Sequence, residues 1–319
     1  MPMGFKEIYD VIIVGGGPAG LTAGLYCQRS ALRTILFEKG MPGGQIAISK
    51  EVENYPGVGS ISGFDLAERL VRQVRQLGLT IVQDEVMGIS AGPELHATEL
   101  ASGARLQSVA LILALGGSAK KLGIPGESEY LGKGVSYCGT CDGPFFKDKH
   151  VVVVGGGDTA VEESLYLSKL ARKVSLVHRG ETFRAVRVLQ DRLRSEPRID
   201  VLWNTTISSI TGNGQAVEKV TLRHARTGRM TILSAEGVFI FIGYRPNSTL
   251  VPPAVQINER GFVVTDERCA TNVPGIFAIG DLRKKSANQI VIAAGDGAVA
   301  ALAAARYIEV HRDTSVTMT

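Results

Sequence analysis

The sequence predicts an α/β fold built from two Rossmann-like dinucleotide-binding domains, one inserted into the other. Three observations predict it. Two glycine-rich turns, Gly15–Gly20 and Gly155–Ala160, each follow an apolar β-branched run and precede a helical pattern. The two units are in register: Gly15 and Gly155 lie 140 residues apart, as do Glu38 and His178. After each unit comes a similar set of short strand patterns.

In chain order, Tyr9–Val14 reads as a strand. It runs into Gly15, Gly16, Gly17, Pro18, Ala19 and Gly20, a G-x-G-x-x-G turn. Leu21 to Arg29 has helical spacing, and Thr34–Phe37 makes a second strand ending at Glu38. Leu95–Ala97, Arg105–Leu106 and Val109–Leu115 read as strands joined by short turns. The second unit repeats the plan. His150–Val154 is its strand, Gly155, Gly156, Gly157, Asp158, Thr159 and Ala160 its turn, and Val161–Leu170 its helix. Val174–Val177 is the next strand, ending at His178. Val217–Leu222, Met230–Leu233 and Val238–Ile242 follow as strands. Gly116-Gly117-Ser118 and Gly243–Asn247 read as connectors, which makes the middle segment an insertion and the connectors a hinge or a pair of rigid loops. An apolar strand, Gly275–Ile279, ends in Gly280-Asp281, and Asn288-Gln289-Ile290 leads into a small-residue helix over Gly295–Tyr307.

The two turns predict different nucleotides. Glycines let the backbone approach a pyrophosphate at a helix N-terminus, and the residue ending the second strand meets the ribose. In the first unit that residue is Glu38. Its carboxylate accepts ribose hydroxyls and repels a 2′-phosphate, so this turn suits FAD or NAD. In the second unit the place belongs to His178 and Arg179, with Arg184 close behind. Cations without an acid suit a 2′-phosphate, hence NADPH; a solvated loop start is the plain alternative. Gly43-Gly44-Gln45, Gly280-Asp281 and Gln289-Ile290 read either as cofactor contacts or as ordinary turns and helix starts.

Between the units stands Cys138-Gly139-Thr140-Cys141, followed by Asp142. Two thiols at this spacing point to redox chemistry or metal binding. A structural zinc needs four ligands. The other cysteines, Cys27 and Cys269, stand apart, and the five histidines form no spaced pair, which weighs against zinc. Cys27 and Cys269 read as small buried hydrophobes. Asp142 is either the proton donor and acceptor beside the sulfurs or a turn former before Gly143-Pro144.

Composition narrows the classes. Among 319 residues, Lys+Arg 35 nearly balances Asp+Glu 31, which gives no argument for nucleic acid. No signal-peptide pattern opens the chain. The most apolar long stretch, Ile290–Ala305, is interrupted by Asp296 and shorter than a membrane span. The expectation is a cytoplasmic protein that binds no membrane.

Taken together, these residues resemble the low-molecular-weight thioredoxin reductases among the FAD-dependent pyridine nucleotide-disulfide oxidoreductases. The resemblance spans nearly the whole chain. It rests on Gly15–Gly20, Gly43–Gln45 with Glu51–Gly57, Cys138–Gly143, Gly155–Glu163, His178–Ala185, Gly243–Asn247, Gly280-Asp281 and Asn288-Gln289. It implies an FAD domain from residues 1–117 and 246–319 and an NADPH domain from residues 118–245. It implies FAD contacts at Gly15, Gly17, Pro18, Ala19, Gly20, Glu38, Gly44, Gln45, Asn54, Gly280, Asp281, Gln289 and Ile290. NADPH contacts are implied at Gly155, Gly157, Asp158, Thr159, Ala160, His178, Arg179 and Arg184. It further implies an active Cys138–Cys141 disulfide with Asp142 as acid-base, a homodimer, a thioredoxin or thioredoxin-like partner, and rotation about the connectors.

Three departures stand out. Arg179 is followed by Gly180 where the family carries a second arginine, which loosens the expected preference for NADPH over NADH. Ala114–Gly117 lacks the family's usual threonine, and Pro144 replaces an aromatic or small residue. Two other readings compete with thioredoxin reduction. One is a related flavin disulfide reductase with another nicotinamide or acceptor. The other is a non-catalytic redox sensor.

Overall fold

The computed structural model describes residues 8–49 and 51–316. The chain divides into two compact units: Met1–Ser118 with Arg245–Thr319, and Ala119–Tyr244.

The first unit is organised by a mostly parallel sheet. Its strands run Thr80–Gln83, Thr34–Glu38, Ile8–Val14 and Arg105–Leu113, with Ile276–Ala278 parallel to the end of the last. His96–Leu100 and Val86–Ser90 extend it as an antiparallel hairpin. Alternate side chains of a strand face opposite ways, so each strand feeds two cores. Val11, Ile13, Leu36 and Ile112 pack on one side with the helices Pro18–Arg29 and Ile290–Val316. Ile12, Ile35, Phe37 and Leu111 pack on the other with Val255, Val263 and Leu282. Each such fully buried side chain contributes about 1.5–3 kcal/mol.

The second unit repeats this plan with a five-stranded parallel sheet: Ile199–Leu202, Lys173–Val177, His150–Gly155, Gly237–Phe241 and Val135–Ser136. A three-stranded antiparallel meander, Thr205–Gly212, Val217–His224 and Met230–Ser234, covers one face. The repeat extends to register. Val11 lies opposite Thr34 in the first unit, and the corresponding Val151 lies opposite Val174 in the second.

Several element boundaries differ from the sequence expectation, each for a physical reason. Arg105–Leu113 is one strand, not two. Gln107 and Ser108 read as a turn, yet Ser108 is buried opposite His96. Burial alternates along the first half of this strand and becomes continuous in the second, where both faces are covered. Both nucleotide helices begin inside their glycine turns, at Pro18 and Asp158, and the second ends at Leu167. The strand expected over Gly275–Ile279 is confined to Ile276–Ala278, and Gly280–Leu282 is a 3₁₀ turn.

The C-terminal helix is the largest correction: it runs from Ile290 to Val316, not from Gly295 to Tyr307. It is long and apolar enough to cross a membrane by length and composition, contrary to the expectation of a short segment. Its Ala300, Ala301, Ala304 and Ile308 are fully buried against the first unit's core. Small residues allow that close approach, since a Cβ on Gly297 would collide with the backbone of Ala19. Asp296 does not interrupt the helix. It is buried, and its carboxylate accepts from the Gly280 amide at 3.1 Å and the Arg283 guanidinium at 2.8 Å.

The two connectors, Gly117–Ala119 and Tyr244–Pro246, are short strands that pair with each other.

Candidate active site

The first glycine turn is shaped by its neighbours. Gly15 has φ +109°, and a Cβ there would collide with the Ala114 carbonyl, so no larger residue fits. Glu38 closes the turn from the adjacent strand: Oε2 accepts from the Gly16 amide at 2.7 Å and Oε1 from the Gly40 amide at 3.0 Å. Gly17 caps the helix without a side-chain hydrogen bond, and Pro18 follows in its first turn. The amides of that turn therefore face outward as an anion cradle.

The other expected FAD residues of this unit are tied to the turn or to one another. The Gly43 amide donates to the Gly16 carbonyl at 2.8 Å, which sets Gly44 against Gly17. Gln45 Nε2 donates to the Gly117 carbonyl at 3.3 Å. Asn54 Nδ2 donates to Gln289 Oε1 at 3.3 Å across 235 positions of sequence, and Gln289 directly precedes Ile290 at the helix start. Gly280 packs near Ala19, and neighbouring Asp281 pairs with Lys285 at 2.9 Å. A glycine turn opening onto a helix start with no side-chain cap, and an acid at the adjacent strand end, fits FAD. Sequence reasoning missed Arg283, Lys285 and Asp296, the ion network that anchors Gly280. The lone Asp in an apolar helix was the available signal.

The second turn differs in chemistry. A Cβ on Gly156 would collide with the His178 ring, which lies against that glycine. The ring lies between two carbonyls, Gly155 at 2.9 Å from Nδ1 and Thr182 at 3.0 Å from Nε2, either of which can accept its N–H. His178 therefore buttresses the turn, with Phe183 and Trp203 packed beside it. Arg179 and Arg184 are exposed, and the Arg184 amide donates to the Gly156 carbonyl at 2.8 Å. Gly157 caps the helix without a side-chain hydrogen bond and has open space where a side chain would stand. Asp158 turns away and accepts from the Val186 amide at 2.8 Å. Thr159 and the fully buried Ala160 complete the helix start. A glycine cradle flanked by two exposed arginines fits a nucleotide bearing a 2′-phosphate.

Cys138 and Cys141 are joined as a disulfide at the head of a one-turn helix, Gly139–Asp142. Cys138 occupies the cap position, and its Sγ accepts from the Cys141 amide at 3.2 Å. Ser136 braces the entry: its Oγ accepts from the Cys138 amide at 3.0 Å and donates to the Cys138 carbonyl at 3.2 Å. Asp142 closes the turn, its amide donating to the Cys138 carbonyl. Burial pushes the Asp142 carboxyl above the usual carboxylate range, against the opposing pull of a Ser136 hydrogen bond.

A second acid, unforeseen in the sequence, lies alongside. Glu163, on the helix of the second turn, packs its carboxyl against Gly139, where any Cβ would collide with it. Burial, then repulsion from Glu162, raises its pKa against the pull of the Gly139 amide. Pro144 opens a 3₁₀ turn, Gly143–Phe146, where a missing amide hydrogen costs nothing. Cys27 and Cys269 are buried, and burial pushes both thiols up to about 12.

Comparison with known proteins decides the family. Residues 9–297 match the pyridine nucleotide-disulphide oxidoreductases. The chain belongs to that family. Within it, the chain is a low-molecular-weight, bacterial-type member. It is 45% identical to the thioredoxin reductase of Listeria innocua, over 95% of each chain. It is 43% identical to the thioredoxin reductase of Bacillus subtilis, over 99% of this chain and 100% of that one. In structure it is similar to the thioredoxin reductase of Streptococcus pyogenes, with TM-score 0.92 and 39% identity over 96% of this chain and 99% of that one. The family's cofactors are FAD and NADPH. The activity is thioredoxin-disulfide reduction, with electrons passing from NADPH via FAD to the Cys138–Cys141 disulfide.

Proposed function

We propose a division of this activity between the two units. Residues 1–117 and 246–319 hold FAD, through the turn Gly15–Gly20, Glu38, Gly44, Gln45, Asn54, Gly280, Asp281, Gln289 and Ile290. Residues 118–245 hold NADPH on Gly155–Ala160, with Arg179 and Arg184 at the 2′-phosphate, and carry the redox pair. The observation that carries the reading is the Cys138–Cys141 disulfide, set in the same compact unit as the second glycine turn. The connectors serve as the hinge between them. When bound, the two cofactors supply a two-electron route from nicotinamide to disulfide.

The chain's own residues manage charge and protons. Reduction of the disulfide to one thiolate and one thiol takes two electrons and one proton. The Cys141 amide stabilises a thiolate at Cys138, because it already donates to that sulfur. Asp142, whose carboxyl burial holds above the usual carboxylate range, protonates the departing sulfur and recovers the proton afterwards. One thiolate then attacks the thioredoxin disulfide, forming a mixed disulfide and releasing a thioredoxin thiolate. The second cysteine, giving its proton back to Asp142, breaks that bond and restores Cys138–Cys141, releasing a second thioredoxin thiolate; protons from solvent complete the thioredoxin dithiol.

The protein works as a cytoplasmic homodimer with thioredoxin or a thioredoxin-like protein as partner, and without nucleic acid or membrane. The near balance of charge supports the absence of nucleic acid, and the buried alanines of the long apolar helix support the absence of a membrane span. Replacing either cysteine tests the proposal. Cys138→Ser and Cys141→Ser are expected to abolish thioredoxin reduction while flavin absorbance still bleaches with NADPH; retained turnover in either contradicts the assignment.

A further inference from the structure

The reading of the second turn as the NADPH site leaves its charge balance incomplete. The loop after His178 offers Arg179 and Arg184 to a 2′-phosphate, but Glu181 stands between them in sequence and offsets one of them. The fold supplies another cation from a distant element. Arg226 lies in the turn between the strands Val217–His224 and Met230–Ser234, and its guanidinium pairs with Glu181. Backbone bonds bring that turn to the loop: the Asn204 amide donates to the Gly180 carbonyl at 3.0 Å, and the Ala225 amide donates to the Asn204 carbonyl. Gly180 adds no side chain to compete for the space.

Both partners are exposed, with side-chain accessibilities of 66% for Arg226 and 53% for Glu181. Such a pair contributes little to folding. Its consequence is electrostatic: Arg226 returns the local balance to the two positive charges that Glu181 reduces. A phosphate dianion attracts a guanidinium more strongly than a single exposed carboxylate does, through paired N–H donors.

We propose that Arg226 is a specificity-determining residue that engages the 2′-phosphate of NADPH, and that Glu181 holds it in place and competes for it. This inference rests on the NADPH reading above. It assigns nicotinamide selection to the meander as well as to the strand-end loop.

Direct binding tests it on the FAD-loaded, oxidised protein. The probes are adenosine 2′,5′-bisphosphate and 5′-AMP, followed by calorimetry. Trp203, the single tryptophan, packs 4.4 Å from Phe183 between ring centroids and gives a fluorescence readout of the same loop. Arg226→Ala is expected to weaken the bisphosphate about three- to tenfold while leaving 5′-AMP unchanged. Glu181→Gln is expected to tighten the bisphosphate. Arg179→Ala serves as the control. If Arg179→Ala weakens the bisphosphate and Arg226→Ala does not, the role of Arg226 is overturned and the NADPH site stands. Equal weakening of both probes by Arg226→Ala overturns specificity in favour of simple bracing. If the parent protein binds neither probe, the site reading falls and the proposal with it.

Discussion

Asp142 shows how one residue's surroundings set its chemistry. Burial raises its pKa, so the carboxyl keeps its proton to higher pH than an exposed aspartate. Turnover that needs this proton is full below the raised value and falls as pH rises through it. Stability has the same sign: the folded-state pKa exceeds the unfolded one, so the fold loses stability as Asp142 ionises at higher pH. Asp142→Asn is therefore expected to slow thioredoxin turnover by about 10²-fold or more, keep FAD, and remove that limb of the pH–rate profile. An unchanged profile returns Asp142 to the role of a turn former. The other two cysteines give a second residue-scale expectation. Of four cysteines, Cys27 and Cys269 are buried with thiols pushed up to about 12. Thiol titration of native protein is expected to find none reactive when oxidised and two after reduction by NADPH. Four reactive thiols in the reduced native protein would contradict their burial.

At the scale of elements, the turns determine which residues act together. His178 sits at the strand end where the sequence placed a cofactor contact, but its ring is committed to the Gly155 and Thr182 carbonyls. That leaves the exposed Arg179 and Arg184 as the loop's cations for a phosphate. Arg179→Ala is expected to raise KM for NADPH more than for NADH; equal effects would remove Arg179 from the 2′-phosphate site. Gly156→Ala drives a methyl group into the His178 ring and is expected to raise KM for both nicotinamides, with FAD content unchanged. Normal kinetics in that variant would show that the ring moves aside freely.

The same elements explain what was legible in the sequence. Glycine turns with a strand before and a helix after are local patterns, so Gly15–Gly20, Gly155–Ala160, Glu38 and the cysteine pair were readable directly. The strand Arg105–Leu113 was not, because Gln107 and Ser108 are polar, and pairing with Ile8–Val14 on one side and His96–Leu100 on the other keeps them extended. The full C-terminal helix was hidden by Gly295 and Gly297; the small size of Gly297 is used in packing against the first helix. Glu163 and Arg226 reach their partners only through tertiary contacts, and no spacing in the chain announces them.

The whole molecule uses one βαβ design twice, with equal register in both copies. Strand-end chemistry distinguishes them: Glu38 in one, His178 and Arg179 in the other. A redox pair carried by the second copy gives the molecule two electron acceptors, a flavin and a disulfide. Electrons entering from NADPH reach both. Anaerobic reductive titration of the FAD-loaded protein tests this most directly. The parent protein is expected to take up four electrons per chain, two for the flavin and two for the disulfide. The variant with both Cys138→Ser and Cys141→Ser is expected to take up two, with full flavin bleaching. Equal uptake by the two proteins would show that the Cys138–Cys141 disulfide lies off the electron path.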